Sequence, residues 1–122
     1  MAPSDRFVSI VEDDSSLREA LAGLLRSHGH KVRAFACAEE YLAVRDGLCG
    51  CVISDIRMPG LSGLEMARRL REMGYDVPMI MITARVDAEI ERQARAGGAV
   101  CLLEKPFDAD ALMDCVARAL AA

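Results

Sequence analysis

Short apolar runs alternate with amphipathic stretches five times along the chain. Residues 7–11 (FVSIV), 31–35 (KVRAF), 51–55 (CVISD), 78–82 (PMIMI) and 100–103 (VCLL) read as strands. The third and fourth are nearly continuous apolar runs, the signature of central parallel strands covered on both faces. Between them, residues 15–28 place Leu17, Leu21, Leu24 and Leu25 on one helical stripe, with Ser16 and Glu19 spaced as a capping box and Gly29 as a stop. Residues 37–46 contribute Tyr41 and Leu42. Residues 62–73 carry Leu64, Ala67 and Leu70, opened by the pair Ser62 and Glu65 and closed by Gly74. Residues 87–96 offer only Ile90 and Ala94 before Gly97 and Gly98. The last stretch, about 108–121, begins at Asp108 and carries Leu112, Val116 and Leu120.

A strand–helix unit repeated in this way predicts right-handed crossovers and a parallel sheet with helices on both faces. The 122 residues suit one compact domain, residues 1–122. Ligands of such folds bind beyond the carboxyl ends of the strands, where strand order reverses. That rule filters the polar residues. Strand one is followed by Glu12, Asp13 and Asp14; strand three ends on Asp55; strand four runs into Thr83 and Ala84; strand five leads through Glu104 to Lys105, Pro106 and Phe107. Carboxylates packed together repel and need a counter-charge. A hard divalent cation such as Mg²⁺ suits oxygen ligands, Lys105 supplies a fixed positive charge, and Thr83 supplies a hydroxyl donor. Arranged around one carboxylate, these groups can neutralise the equatorial oxygens of a phosphoryl group. Helix capping explains Asp14. It does not explain Lys105 before a proline, nor Asp55 ahead of Met58-Pro59-Gly60.

Composition narrows the function further. The formal net charge is −4 and no Lys/Arg cluster occurs, which disfavours direct nucleic-acid contact. No apolar run approaches the ~20 residues of a membrane span, and no secretory leader is evident at the start, so the expected location is the cytoplasm. Five cysteines form an odd set with no CxxC pair and read as small buried hydrophobes. Cys49 and Cys51, two apart, are expected to point the same way along a strand.

The ordered segments IVEDD (10–14), SDIRMPGLSGLE (54–65), MITA (81–84) and EKPF (104–107) resemble the receiver domain of two-component response regulators over nearly the whole chain. The wording is similar to receivers joined to a helix-turn-helix transcription domain. The resemblance implies a flavodoxin-like five-stranded parallel sheet of order 2-1-3-4-5 with five helices. It implies that Asp55 accepts a phosphoryl group from a sensor histidine kinase, with Mg²⁺ held by Asp13, Asp55, the Arg57 backbone carbonyl and Glu12, directly or through water. Thr83 then bonds the phosphoryl oxygen, small Ala84 leaves it room, Lys105 pairs with the phosphate, and Pro106 follows a bond that is often cis in this family. Homodimerisation through helix 4, strand 5 and helix 5 is the family's usual mode. Two positions depart from the pattern: Glu12 stands where Asp is commoner, and Leu102 where an aromatic ring usually rotates as the threonine moves.

An aspartyl-phosphate phosphohydrolase would carry an acid two residues past the nucleophile, where this chain has Arg57, and would need a cap domain. A flavin-type cofactor binder would need a Ser/Thr/Gly phosphate loop where Glu12, Asp13 and Asp14 stand. His28 and His30 flank a turn away from the site and read as ordinary surface residues; Met58 reads as packing. Arg85, two past Thr83, lies at the mouth of the site, where it would tune phosphoryl lifetime or remain a solvated arginine. The chain ends with the fifth helix, so a stand-alone receiver and a receiver separated from its output domain both stay open.

Overall fold

The computed structural model describes residues 6–44 and 49–121. Strands β1 (Phe7–Val11), β2 (Lys31–Phe35), β3 (Cys49–Asp55), β4 (Met79–Thr83) and β5 (Ala99–Glu104) alternate with helices α1 (Ser15–Ser27), α2 (Ala38–Ala43), α3 (Gly63–Glu72), α4 (Ala88–Ala96) and α5 (Ala109–Ala121). The strands form one sheet of order β2-β1-β3-β4-β5, and every neighbouring pair is parallel. The doubly wound fold and its strand order agree with the sequence pattern. Helix α2 is shorter than its expected span; residues 45 and 46 lie outside the described residues.

Two cores follow from the alternation of strand side chains. On one face, Leu21 and Leu25 of α1 and Leu112, Cys115 and Val116 of α5 pack on Val8, Ile10, Ile53, Ile80 and Ile82. On the other, Tyr41 of α2, Met66, Ala67 and Leu70 of α3 and Ala94 of α4 pack on Val11, Val52, Met79 and Met81. Truncating a fully buried residue such as Leu25 to alanine costs about 2–5 kcal/mol. Helix α4 buries Ala94 alone, so its attachment is the thinnest of the five.

Three local expectations fail for identifiable reasons. Asp14, not Ser16, caps α1: its Oδ1 accepts from the Ser16 and Leu17 amides at 2.9 and 3.2 Å, which places Ser16 inside the first turn. The pair Ser62 and Glu65 forms half a box. Ser62 Oγ accepts from the Glu65 amide at 3.1 Å, while the Glu65 carboxylate turns outward to Arg68. Cys49 and Cys51 do not share a face. Pairing with β1 jumps from Phe7↔Cys49 to Val8↔Cys51, leaving Gly50 as an extra residue. A one-residue bulge reverses side-chain parity. Cys51 therefore sits in the α1/α5 core, while Cys49 packs on the α2–α4 side with its Sγ 3.3 Å from Ser9 Oγ.

Candidate functional site

Strand order reverses between β1 and β3, so their carboxyl ends open the crevice in which the polar residues meet. Glu12, the first residue past β1, is 2% exposed, and Asp55, the last of β3, is 7% exposed. The exposed Asp13 completes a set in which one carboxylate oxygen from each residue lies within 4.8 Å of the others. From the far side of the sheet, Lys105 reaches across β4 and donates from Nζ to Asp55 Oδ2 at 2.6 Å. The other Asp55 oxygen, Oδ1, accepts the Arg57 amide at 3.1 Å.

Neighbouring helices fix these groups. Arg18 of α1 donates from its guanidinium to the Glu12 carbonyl at 2.8 Å, holding the end of β1. Helix α3 starts close under Asp55. A Cβ on Gly63 would lie 2.5 Å from the Asp55 carbonyl oxygen, so the approach of α3 to the site requires glycine there. Ile56 N–H bonds the Ile82 carbonyl and Gly63 N–H bonds the Ile56 carbonyl, at 2.8 and 2.9 Å, tying the turn after Asp55 to β4 and to α3.

Charge within the crevice is imperfectly balanced. Glu12 Oε2 accepts the Asp14 amide at 3.1 Å, but the buried Oε1 has no hydrogen-bond partner and lies 3.8 Å from Lys105 Nζ. Burial pushes the Glu12 carboxyl up to about 7; Asp13 and the Asp55 charge act the same way, against the Asp14 amide and Lys105. For Lys105, burial acts downward, but the bond to Asp55 and the fields of Glu12 and Asp13 outweigh it and hold the ammonium above its ordinary value. A buried carboxylate oxygen without a donor, facing two more carboxylates, is a donor set of the hard-oxygen type that a divalent cation fits.

Thr83 is at the expected strand end and buried, yet its hydroxyl is turned into its own loop. Oγ1 donates to the Arg85 carbonyl at 3.3 Å, and the Arg85 amide approaches it at 3.5 Å. Ala84 beside it is exposed, and the Lys105–Pro106 bond is cis. Leu102 lies away from the crevice, opposite Met81 in the β4–β5 ladder and half-buried against the α2–α4 core. His28 and His30 follow α1 at the amino-terminal edge of the sheet, remote from the crevice.

A model of the response regulator receiver domain matches residues 8–117. The chain belongs to that family. It is 45% identical over 114 residues to the C4-dicarboxylate transport transcriptional regulatory protein DctD of Pseudomonas aeruginosa, covering 93% of this chain and 25% of that protein. It is 37% identical to the transcriptional regulatory protein FixJ of Bradyrhizobium diazoefficiens, covering 93% of this chain and 56% of that one. The crystal structure of FixJ-N superposes with a TM-score of 0.86 at 35% identity, covering 96% of this chain and 94% of that one. The receiver thus spans from a quarter to just over half the length of these full-length relatives. Among the described residues no helix is long and apolar enough to cross a membrane.

The roles of two carboxylates escaped the sequence filter, which passed over Glu39 altogether and met Glu104 only on the way to Lys105; both serve loops rather than the crevice. Glu39 of α2 accepts the Leu61 amide in the loop after β3 at 3.2 Å, and Glu104 at the end of β5 accepts the Val86 amide in the loop after β4 at 2.9 Å. Gly63 escaped as well. A glycine at a helix start carries no distinctive pattern, and only the packing of α3 reveals its role.

Proposed function

We propose that this receiver accepts a phosphoryl group on Asp55 from the phosphohistidine of a sensor histidine kinase and passes the change to an output, through transcription where a DNA-binding domain is attached. The supporting observation is the environment of Asp55. Its carboxylate lies between the Lys105 ammonium and the Arg57 amide, beside a buried Glu12 oxygen that lacks a donor.

In the transfer, an Asp55 carboxylate oxygen forms the bond to phosphorus while the bond from phosphorus to the imidazole nitrogen breaks, its electron pair leaving with the imidazole. Lys105 neutralises one side of the phosphoryl group, and Thr83, turned from Arg85, bonds a second oxygen. Glu12, Asp13, Asp55 and the Arg57 carbonyl would hold Mg²⁺, which supplies charge neutralisation to the transferring oxygens. The added charge of roughly −1.5 to −2 then biases the loop after β4 and helix α4. On this account the domain is a switch with no turnover chemistry of its own, and residues 1–122 form one such unit. The α4–β5–α5 face serves dimerisation, direct nucleic-acid contact is left to other domains, and the cytoplasm is its compartment, as the five free thiols favour.

Incubation with Mg²⁺ and acetyl phosphate, followed by intact mass, is expected to show one added phosphoryl, absent in Asp55→Asn. Labelling that persists in Asp55→Asn, or none in the wild type with any small donor or kinase, would sink the proposal.

A further inference from the structure

The loop Ala84–Asp87 must rearrange if Thr83 is to reach a phosphoryl group, because the Thr83 hydroxyl is engaged with Arg85 of the same loop. Ala84 and Arg85 are exposed, and α4 beyond them buries Ala94 alone, so apolar packing does little to hold this segment. Among the described residues, two side chains from outside the loop bond its backbone: Thr83 itself, at Arg85, and Glu104, whose Oε2 accepts the Val86 amide at 2.9 Å. Glu104 stands opposite Thr83 in the β4–β5 ladder. The next residue, Lys105, sends its amide to the Thr83 carbonyl at 2.8 Å and its ammonium to Asp55. One strand end therefore holds both the phosphoacceptor's counter-charge and the latch of the loop that must move.

We infer that Glu104 is a positioning residue that latches the loop after β4 in its resting arrangement and sets how readily the domain adopts its phosphorylated form. The inference rests on Asp55 as acceptor and Thr83 as the group that swings. A contact made in one of two states stabilises that state by its own free energy, and ligands of the other state then bind more weakly by the same factor. A carboxylate accepting a backbone amide at a partly exposed site corresponds to a shift of about three- to tenfold in that equilibrium. With Leu102 where a ring would otherwise report the threonine's position, the latch gives this chain a separate restraint on the same loop.

The test uses the whole chain with Mg²⁺ and beryllofluoride, a non-covalent mimic of the aspartyl phosphoryl group, comparing wild type with Glu104→Ala and Glu104→Gln. Backbone amide NMR reads both affinity and the state of Val86. In Glu104→Ala, beryllofluoride affinity is expected to rise about three- to tenfold, and free-state exchange of the Val86 amide to quicken. Glu104→Gln, which keeps an acceptor oxygen but loses its charge, is expected to fall between. Unchanged or weaker beryllofluoride binding by a natively folded Glu104→Ala overturns the latch. Failure of the wild type to bind beryllofluoride strikes the phosphoacceptor proposal instead, so the two failures are told apart.

Discussion

The two loops that rim the crevice are built differently. The turn after β3, from Ile56 to Ser62, is anchored at many points: Ile56 is buried, Met58 and Leu61 pack on the α2–α4 core, Glu39 takes the Leu61 amide, and Ser62 caps α3. The loop after β4 has exposed Ala84 and Arg85, a half-buried Val86 and, among the described residues, side-chain ties to Thr83 and Glu104 alone, and it feeds a helix with one buried side chain. Local stability tracks buried apolar contact and protected backbone bonds. The first loop is accordingly a fixed platform that presents Asp55, and the second a lever that can respond to what happens there. A receiver needs both, since a phosphoryl group can shift only an equilibrium whose two states lie close in free energy.

The largest effect should come from damage to the platform. Gly63→Ala places a methyl against the Asp55 carbonyl, so α3 must move; a loss of roughly 1–3 kcal/mol is expected, read as a fall in thermal midpoint of several degrees. A midpoint within a degree of wild type would show that α3 yields freely and that the platform is softer than its packing suggests. Next comes the charge at the junction of the two loops. Lys105→Met should slow labelling by acetyl phosphate by about a hundredfold, measured as phosphorylated fraction against time by intact mass.

A finer contrast lies in the two carboxylate ties. Glu39→Ala should speed exchange of the Leu61 amide yet leave beryllofluoride affinity unchanged, because the platform keeps one conformation in both states. Equal shifts in affinity from Glu39→Ala and Glu104→Ala would erase the distinction between platform and lever. The smallest effects concern readout. Leu102→Tyr places a ring opposite Met81 and should alter the coupling between phosphorylation and self-association, measured by sedimentation equilibrium with and without beryllofluoride; identical coupling would make the leucine immaterial. Arg85 bonds Thr83 through its backbone, so Arg85→Ala should change phosphoryl lifetime by no more than about twofold, the scale of a weak exposed contact.

Much of this was legible in the linear pattern. The apolar runs at β3 and β4, the leucine stripe of α1 and the strand-end filter led to Glu12, Asp13, Asp55, Thr83 and Lys105 because each signal is local: a period, a strand end, a residue type. The failures were equally physical. Ser16 and Glu19 match a capping box in spacing, yet Asp14 starts the helix two residues earlier, capping the Ser16 and Leu17 amides, so Ser16 already lies inside the first turn. Cys49 and Cys51 were placed on one face because period two assumes a regular strand, and the Gly50 bulge breaks that regularity.

The sequence by itself determined the doubly wound architecture and the group of residues at its carboxyl edge, since periodicity and chain reversal are written in neighbouring positions. Tertiary structure decided the rest. That Lys105 bonds Asp55, that a Glu12 oxygen is buried without a donor, and that Gly63 must be glycine all depend on segments far apart in the chain being brought within a few ångströms. The assignment of Glu39 to the fixed loop and Glu104 to the movable one has the same origin, for a carboxylate reveals its partner only when the backbone amide it accepts has been folded against it.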